Sequence, residues 1–205
     1  MILTHLRAGV ALWTQRDMIQ NSAGEALQAF MRRDPIPRHW SSWREFIEGG
    51  GMDHWRWNNF TPAELACNCN GKWCEGEYFH DPDFLDRLQR VRDIMGVPLR
   101  INSAHRCAMW NASVGGAPRS RHKRIAADIS LHGLDLAKLY QAARAVDFNG
   151  IGFAASFLHV DVRDRPAVWG YGPVGAQVWA PIGIMFDPAS NGRRVTSIPK
   201  KEALG

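Results

Sequence analysis

The segment that most constrains the fold is Phe157–Arg163, in which every second residue is apolar. Side chains alternate between the two faces of a β-strand, so Leu158, Val160 and Val162 share one face. The other face carries three polar side chains: His159, Asp161 and Arg163. This pattern predicts a strand that packs on a core with one face and forms the floor of a polar cleft with the other. A solvated strand face with an incidental ion pair is the alternative.

Helix signals lie on both sides of the short strands. Thr61-Pro62-Ala63-Glu64 has an N-cap Thr, a first-turn Pro and a Glu at the third position. A second start, Asp81-Pro82-Asp83, leads into apolar residues at helical spacing as far as Met95, and a further apolar helical face runs from Leu136 to Val146. Short strands are predicted at 98–102, 126–130, 150–153, 157–163 and 178–186. These elements together predict an α+β fold, in which helices flank a small, mainly antiparallel sheet.

The chain divides into three predicted regions. Its 205 residues suit one domain with extensions. Gly49-Gly50-Gly51 indicates a boundary or flexible joint, so residues 1–54 are predicted to be an extension that is partly helical over 17–33. The compact domain is expected at 55–172, and a C-terminal strand with a basic tail at 173–205.

Net charge and hydropathy exclude few classes of function. The net charge of +5 permits contact with an acidic polymer, but without a long Lys/Arg block a solvated basic surface is the favoured interpretation. No apolar run is long enough to span a bilayer. Residues 8–13 faintly resemble a signal peptide, but no small-residue cleavage site follows, so a mature helical start is favoured.

The four cysteines admit three interpretations: disulfides, a structural zinc site, or free thiols. Cys67, Cys69 and Cys74 form a C-x-C-x4-C cluster, and Cys107 lies further along the chain. The spacing does not match the usual C-x2-C zinc knuckles, so disulfides and free thiols are favoured about equally.

Two separate polar motifs indicate a metal site. Ser120-Arg121-His122 is followed by Asp128, and the predicted strand supplies His159. Two histidines and a carboxylate are a typical ligand set for catalytic zinc, which keeps its fourth position open for water. The other histidines fit no motif. We expect His105 to form a cleft wall and the rest to be exposed: His5, His39, His54, His80 and His132.

The motifs also occur in a recognisable order. The residues that carry the resemblance lie at 101–107, 114–122, 126–129, 150–153 and 157–161, with Trp169 following. This ordered set resembles the zinc D-alanyl-D-alanine carboxypeptidases and the phage L-alanyl-D-glutamate endolysins, which share the small α+β fold of the hedgehog signalling domain. The resemblance covers roughly residues 60–172. The ordered set of motifs is a specific signal for this family, whereas a single H-x-D motif is a weak one.

The resemblance implies roles for individual residues. The zinc ligands would be His122, Asp128 and His159. Arg106, at the S-x-x-R position, would bind a substrate carboxylate or the developing oxyanion, and Ser120 would line the site. The spacing from His122 to Asp128 is one residue shorter than is usual in the family and lacks its Gly. No acidic residue immediately precedes His159, so Asp161 is the candidate base; orienting a ligand histidine or Arg163 is its alternative role.

The predicted function is hydrolysis of D-amino-acid-containing peptide bonds in peptidoglycan by a zinc-dependent peptidase. Carboxypeptidase and endopeptidase both remain open, as do phage-derived endolysin and bacterial wall-remodelling roles. We expect a monomer that acts on stem peptides and does not bind nucleic acid or span a membrane. It would reside either in a cytoplasmic pool that is released at lysis or in the periplasm. The alternatives are a non-catalytic wall-binding module on the same fold and, less favoured, a nucleic-acid-binding protein.

Overall fold

A computed structural model describes residues 38–199, which belong to the compact unit Pro37–Gly205. The predicted helix over 17–33, the helical start before it and the last residues of the basic tail lie outside the described residues. None of the helices described is both long enough and apolar enough to cross a membrane.

The described chain alternates short helices and strands. The α-helices are α1 Trp43–Glu48, α2 Pro62–Leu65, α3 Pro82–Met95, α4 Ala108–Ser113, α5 Leu136–Ala145 and α6 Pro173–Trp179. The strands are β1 His39–Trp40, β2 Tyr78–Phe79, β3 Ile101–Ser103, β4 Ala127–Ser130, β5 Gly150–Phe153, β6 Phe157–Asp161, β7 Ala167–Gly170, β8 Met185–Phe186 and β9 Val195–Ser197. Single 3-10 turns lie at Gly51–His54, Arg121–Lys123, Ala180–Ile182 and Pro188–Ser190.

A five-stranded sheet with the order β3-β4-β6-β5-β7 forms the centre of the fold. Three of its pairings are antiparallel, and β5 with β7 is parallel. The predicted α+β class is confirmed, but the sheet is mixed, because one of its four pairings is parallel. The reason is topological: β5 and β7 both run opposite to β6, and β7 joins the outer edge of β5.

The two long helices form where the sequence predicts them. Asp81 caps α3 by accepting a hydrogen bond from the Phe84 amide at 3.3 Å, and Gly96 ends the helix in the left-handed region at φ 72°. Asp135 caps α5 in the same way, and α3 and α5 pack against each other. Five residues of α3 form its buried stripe: Phe84, Leu85, Leu88, Val91 and Met95.

Residues 38–80 form a layer beside the sheet, which we call the N-terminal layer. In this layer β1 pairs with β2, and the fully buried Phe46 ring lies in T-shaped contact with Tyr78 at 4.9 Å. The predicted joint at 49–51 is a packed turn, because a side chain on Gly51 would collide with the Phe46 ring. Residues 38–54, predicted as part of an extension, are thus integral to the compact unit.

The prediction that His80 is exposed is wrong. Its ring stacks on Phe46 at 4.8 Å, and its Nδ1 forms a hydrogen bond with the Tyr78 hydroxyl at 3.1 Å. His80 is 4% exposed. This burial was not visible in the local sequence because the Phe46 ring on which His80 stacks comes from α1.

The predicted strand over 178–186 is also wrong for most of its length. Pro173 stands at the first position of α6, where its fixed φ favours a helix, and a 3-10 turn follows as far as Ile182. The buried Trp179 ring donates its Nε1 hydrogen to the Ala154 carbonyl at 2.7 Å. Only Met185–Phe186 is a strand, and it pairs with β9.

Candidate metal centre

Strand pairing brings two of the predicted ligands together. β4 and β6 are adjacent and antiparallel, and Asp128 is the register partner of His159. The third predicted ligand, His122, comes from the 3-10 turn Arg121–Lys123, which leads back towards β4. All three side chains are buried. Strand Phe157–Asp161 therefore buries both of its faces. Its polar face contributes to a buried site, and the alternative of a solvated strand face does not hold.

Three ligand atoms of these residues converge on one point. His122 Nε2 lies 3.2 Å from Asp128 Oδ1 and 3.1 Å from His159 Nδ1, and the last two atoms are 2.9 Å apart. Ligands at the usual zinc distance of about 2.0–2.1 Å lie roughly 3.3 Å from one another in a tetrahedron. The observed spacings are slightly shorter, so these atoms fit a single small cation.

The remaining nitrogens determine where the histidine protons lie. His122 Nδ1 donates to the Ala104 carbonyl at 2.6 Å, and His159 Nε2 donates to Asp161 Oδ2 at 2.9 Å. In the neutral form of each ring, the nitrogen that faces the centre then carries a lone pair. Two lone pairs and a carboxylate oxygen in van der Waals contact repel one another unless a proton or a metal lies between them. The donor set therefore fits a divalent metal.

The shortened loop between His122 and Asp128 does not separate these ligands. Lys123 and Arg124 close tight turns on Ser120 and Arg121 through their backbone amides, at 3.2 and 2.9 Å. The chain then enters β4 directly at Ala127. The turn thus connects His122 to β4, in which Asp128 is the register partner of His159.

Arg106 and Ser120 both lie at the centre. Arg106 donates from Nη2 to Asp128 Oδ2 at 2.6 Å and from Nε to Ser103 Oγ at 2.8 Å. The ion pair occupies the carboxylate oxygen that faces away from His122, which leaves Oδ1 for a metal. Ser120 Oγ accepts a hydrogen bond from the His122 amide at 3.3 Å and also lines the cleft. Ser120 therefore both caps the turn and borders the site.

Asp161 lies behind His159, on the side of the ring away from the three ligand atoms. Its Oδ2 accepts from His159 Nε2, its Oδ1 accepts from Arg163 Nε at 2.7 Å, and Arg163 Nη2 also contacts Oδ2. A side chain at Gly150 would take the place of this carboxylate, which explains a Gly opposite Asp161 in β5. The role of base stays a prediction, and the fully buried position of Asp161 favours the orienting role.

The charges of the centre shift its ionisation. Burial tends to raise the pKa of Asp128, but hydrogen bonds and charge from His122 and His159 outweigh it and hold that pKa well below its usual range. Burial lowers the pKa of His122. For His159 burial acts in the same direction, but hydrogen bonds to Asp128 and Asp161 prevail and raise its pKa. A raised pKa favours the protonated form of His159, so protons compete with a cation for this site.

A cleft of about 730 Å³ opens onto the centre. Four arginines line it: Arg106, Arg119, Arg121 and Arg163. Trp169 and Tyr171 also line it; the Arg163 guanidinium lies 4.8 Å from the Trp169 ring centre, and burial raises the pKa of Tyr171 to about 12. Arg119, Arg121 and Tyr171 were given no role from the sequence. The first two flank Ser120 within the recognised motif, which was the available signal.

His105 does not form the predicted cleft wall. It is fully buried beneath the site, with Nε2 3.0 Å from Glu77 Oε1 and Nδ1 in contact with the Arg124 carbonyl. The neighbouring Arg106 reaches the cleft in its place.

Comparison with known proteins places the centre within the part of the chain that matches a protein family. A family model described as Peptidase M15 matches residues 58–162. The zinc D-Ala-D-Ala carboxypeptidase of Streptomyces albus G is 36% identical over 101 residues, in an alignment that covers 45% of this chain and 39% of that protein. This chain thus spans about two fifths of the length of the curated relative that it matches, at 39%. All three candidate ligands lie within the matched residues.

Proposed function

Because the chain belongs to the peptidase M15 family, as its motifs predict, we propose that it is a zinc-dependent peptidase that cleaves D-amino-acid-containing bonds in peptidoglycan stem peptides. The observation that carries the proposal is the convergence of His122, Asp128 and His159 at the floor of an open cleft. Three protein ligands and an accessible fourth position characterise catalytic zinc, whereas structural sites are closed. The name of the Streptomyces relative supports the substrate class.

The ligand set supplies the chemistry of hydrolysis. His122, Asp128 and His159 would hold a zinc ion, which would act as a Lewis acid on the scissile carbonyl and lower the pKa of a bound water to about 7. Arg106 holds Asp128 through Oδ2 and so keeps one oxygen directed at the metal. Asp161, itself fixed by Arg163, holds the proton of His159 on Nε2 and keeps Nδ1 free as a ligand.

The arginines of the cleft account for the choice of substrate. Peptidoglycan stems carry free carboxylates, and a guanidinium binds a carboxylate through two parallel hydrogen bonds. Among the described cleft-lining residues, Asp128 supplies the only carboxylate, and Arg106 pairs with it. Arg119 and Arg121 border the same cleft at its edge and are suited to hold an anionic stem.

A non-catalytic wall-binding module is the second candidate. One observation favours it: within the described part of the cleft, no carboxylate besides the ligand Asp128 is placed to accept a proton from water. Asp161 is fully buried and engaged with His159 and Arg163. A module of this kind would bind zinc and stem peptides but release no product.

Incubation of zinc-loaded protein with purified muropeptides, followed by mass spectrometry, tests the proposal. We expect products that disappear when a chelator is added and reappear when zinc is restored. Loss of a terminal D-Ala would identify a carboxypeptidase, and a cut within the stem or cross-link would identify an endopeptidase.

His159→Ala is the control for contaminating hydrolases, because it removes a ligand from the metal centre. Products that persist with this variant would contradict the assignment of the site. Stoichiometric zinc in the His centre and muropeptide binding without any product would establish the binding module instead.

A further inference from the structure

A second cluster of ligand side chains lies outside the cleft. Cys67, Cys69 and Cys74 belong to the irregular segment between α2 and β2, and Cys107 is the N-cap residue of α4. Although Cys107 is far away in sequence, the four sulfurs all lie within 4.8 Å of one another. All four cysteines are free, and all but the half-buried Cys74 are buried. The proposed hydrolysis uses none of them.

The local backbone is shaped to gather these sulfurs. Asn70 and Gly71 both adopt positive φ, 54° and 78°, and reverse the chain directly after Cys69. This turn returns Cys74 to Cys69, where the two sulfurs are 3.5 Å apart. The Cys67 amide also donates to the Glu77 carbonyl at 2.8 Å, which joins the two arms of the loop.

The sulfur spacing fits metal ligation. Four thiolates at about 2.3 Å from a tetrahedral zinc lie about 3.8 Å apart, whereas disulfide sulfurs bond at about 2.05 Å. The sulfurs of Cys69 and Cys74 are 3.5 Å apart, which is close to the tetrahedral value. Two disulfides would account for two pairs of cysteines, but not for the gathering of all four sulfurs around one point.

Backbone amides point at the sulfurs. The amides of Cys107, Trp110 and Glu77 donate to the sulfurs of Cys67, Cys107 and Cys74, at 3.3, 3.4 and 3.4 Å. Such donors offset the negative charge that accumulates when several thiolates share one cation. The rings of Trp73 and Trp110, with centres 5.5 Å apart, pack against the cluster and limit the access of water.

We propose that Cys67, Cys69, Cys74 and Cys107 bind a structural zinc ion in a closed tetrathiolate site, separate from the His centre. Its place in the fold gives it a positioning role. Cys107 directly follows Arg106, whose amide donates to the His122 carbonyl at 2.7 Å. A metal that ties Cys107 to the 67–74 loop would therefore fix the segment from which Arg106 reaches Asp128.

Metal content tests this site independently of hydrolysis. Protein purified anaerobically without added zinc chelator should contain two zinc ions per chain by elemental analysis. Cys74→Ser should lose one of them, and His159→Ala should lose the other. Each variant is the control for the other. If one site binds no zinc, the number of zinc ions measured at the other site is unchanged. A native protein whose whole zinc content disappears in His159→Ala would overturn the tetrathiolate proposal.

Two measurements on the native protein avoid dependence on the folding of a variant. Cobalt in place of zinc should give an intense near-ultraviolet sulfur-to-metal charge-transfer band, which the His centre, with its nitrogen and oxygen ligands, cannot produce. Alkylation in denaturant with chelator, but without reductant, should add four labels per chain to the intact mass. A cobalt-loaded protein without that band, or a chain that takes up no label because its cysteines are paired in disulfides, would refute the proposal.

Discussion

The central sheet and the N-terminal layer both bury side chains that can bind metal, but they assemble them differently. In the sheet, Asp128 and His159 are register partners on neighbouring strands, so one regular ladder aligns them. In the layer, three cysteines follow an irregular loop, and the fourth arrives from the start of α4. Regular pairing makes a site whose ligands can be matched in the sequence, whereas the irregular loop leaves three interpretations open until the fold brings Cys107 to the other three cysteines.

The two sites also differ in chemistry and access. The His centre has three nitrogen and oxygen ligands and faces a cleft lined by four arginines. The cysteine cluster has four sulfurs beneath two tryptophan rings. Open sites with three protein ligands suit catalysis, and closed sites with four suit structure. The difference indicates that losses in the sheet should appear first in activity, and losses in the layer first in stability.

The largest expected effect is that of His159→Ala. This change removes one of three ligands and leaves Asp161 buried without its imidazole partner, so metal binding at the centre should be lost. Muropeptide hydrolysis should fall to the level of the chelated wild-type protein. Zinc titration and mass spectrometry of products check this. Retained hydrolysis with unchanged zinc affinity would break the comparison, because the sheet site would then not be the catalytic one.

Phe46→Ala tests the other side of the comparison. The Phe46 ring is fully buried against Tyr78, His80 and the Gly51 turn, so truncation leaves a cavity that costs about 3–5 kcal/mol of unfolding free energy. Urea denaturation measures this loss. Zinc affinity of the His centre in the folded variant should be unchanged, and a large drop in that affinity would mean that the two regions are coupled.

His80 makes the stability of the layer depend on pH. Burial, with the nearby charges of Arg56 and Arg38, lowers its pKa from 6.5 to about 4. The neutral ring is favoured in the folded state, so its contribution is fully present above pH 6.5 and is lost as the pH falls towards 4. The loss amounts to at most about 3 kcal/mol.

His80→Gln is the matched control for that pH dependence, because it keeps a polar side chain that does not titrate. Urea denaturation of both proteins at pH 7, 5.5 and 4, with zinc content held equal, should show the smaller acid loss in the variant. Equal slopes for the two proteins would show that His80 is not held neutral in the folded layer.

Asp161→Asn should have a smaller effect that separates the two roles of this residue. Loss of the carboxylate weakens the hold on His159 and should lower zinc affinity by about 10–100-fold, with activity recovering in excess zinc. A general base would instead cost ~10²–10⁴-fold in rate at unchanged zinc affinity. Arg163→Gln, which keeps the carboxylate but removes its partner, should fall between Asp161→Asn and the wild type.

Several parts of the fold and site follow from local sequence. The cap at Asp81, the α3 stripe and the strand at Phe157–Asp161 were all predictable, because capping and side-chain periodicity depend on residues a few positions apart. The same alternation placed His159 and Asp161 on one face. The helix at Pro173–Trp179 was missed because a strand was predicted from Val178 onwards, whereas Pro173 and the burial of Trp179 favour the helix.

What the sequence by itself determined is the α+β class, the peptidase family and the identities of the candidate ligands. Only the tertiary structure decided which of these side chains meet. The pairing of β4 with β6 sets Asp128 against His159, and the turn after Asn70 returns Cys74 to the other sulfurs. The physical reason is that residue type and short-range periodicity set the chemistry and direction of a side chain. The distance between two such side chains depends on chain closure over tens of residues and on packing that no local pattern encodes.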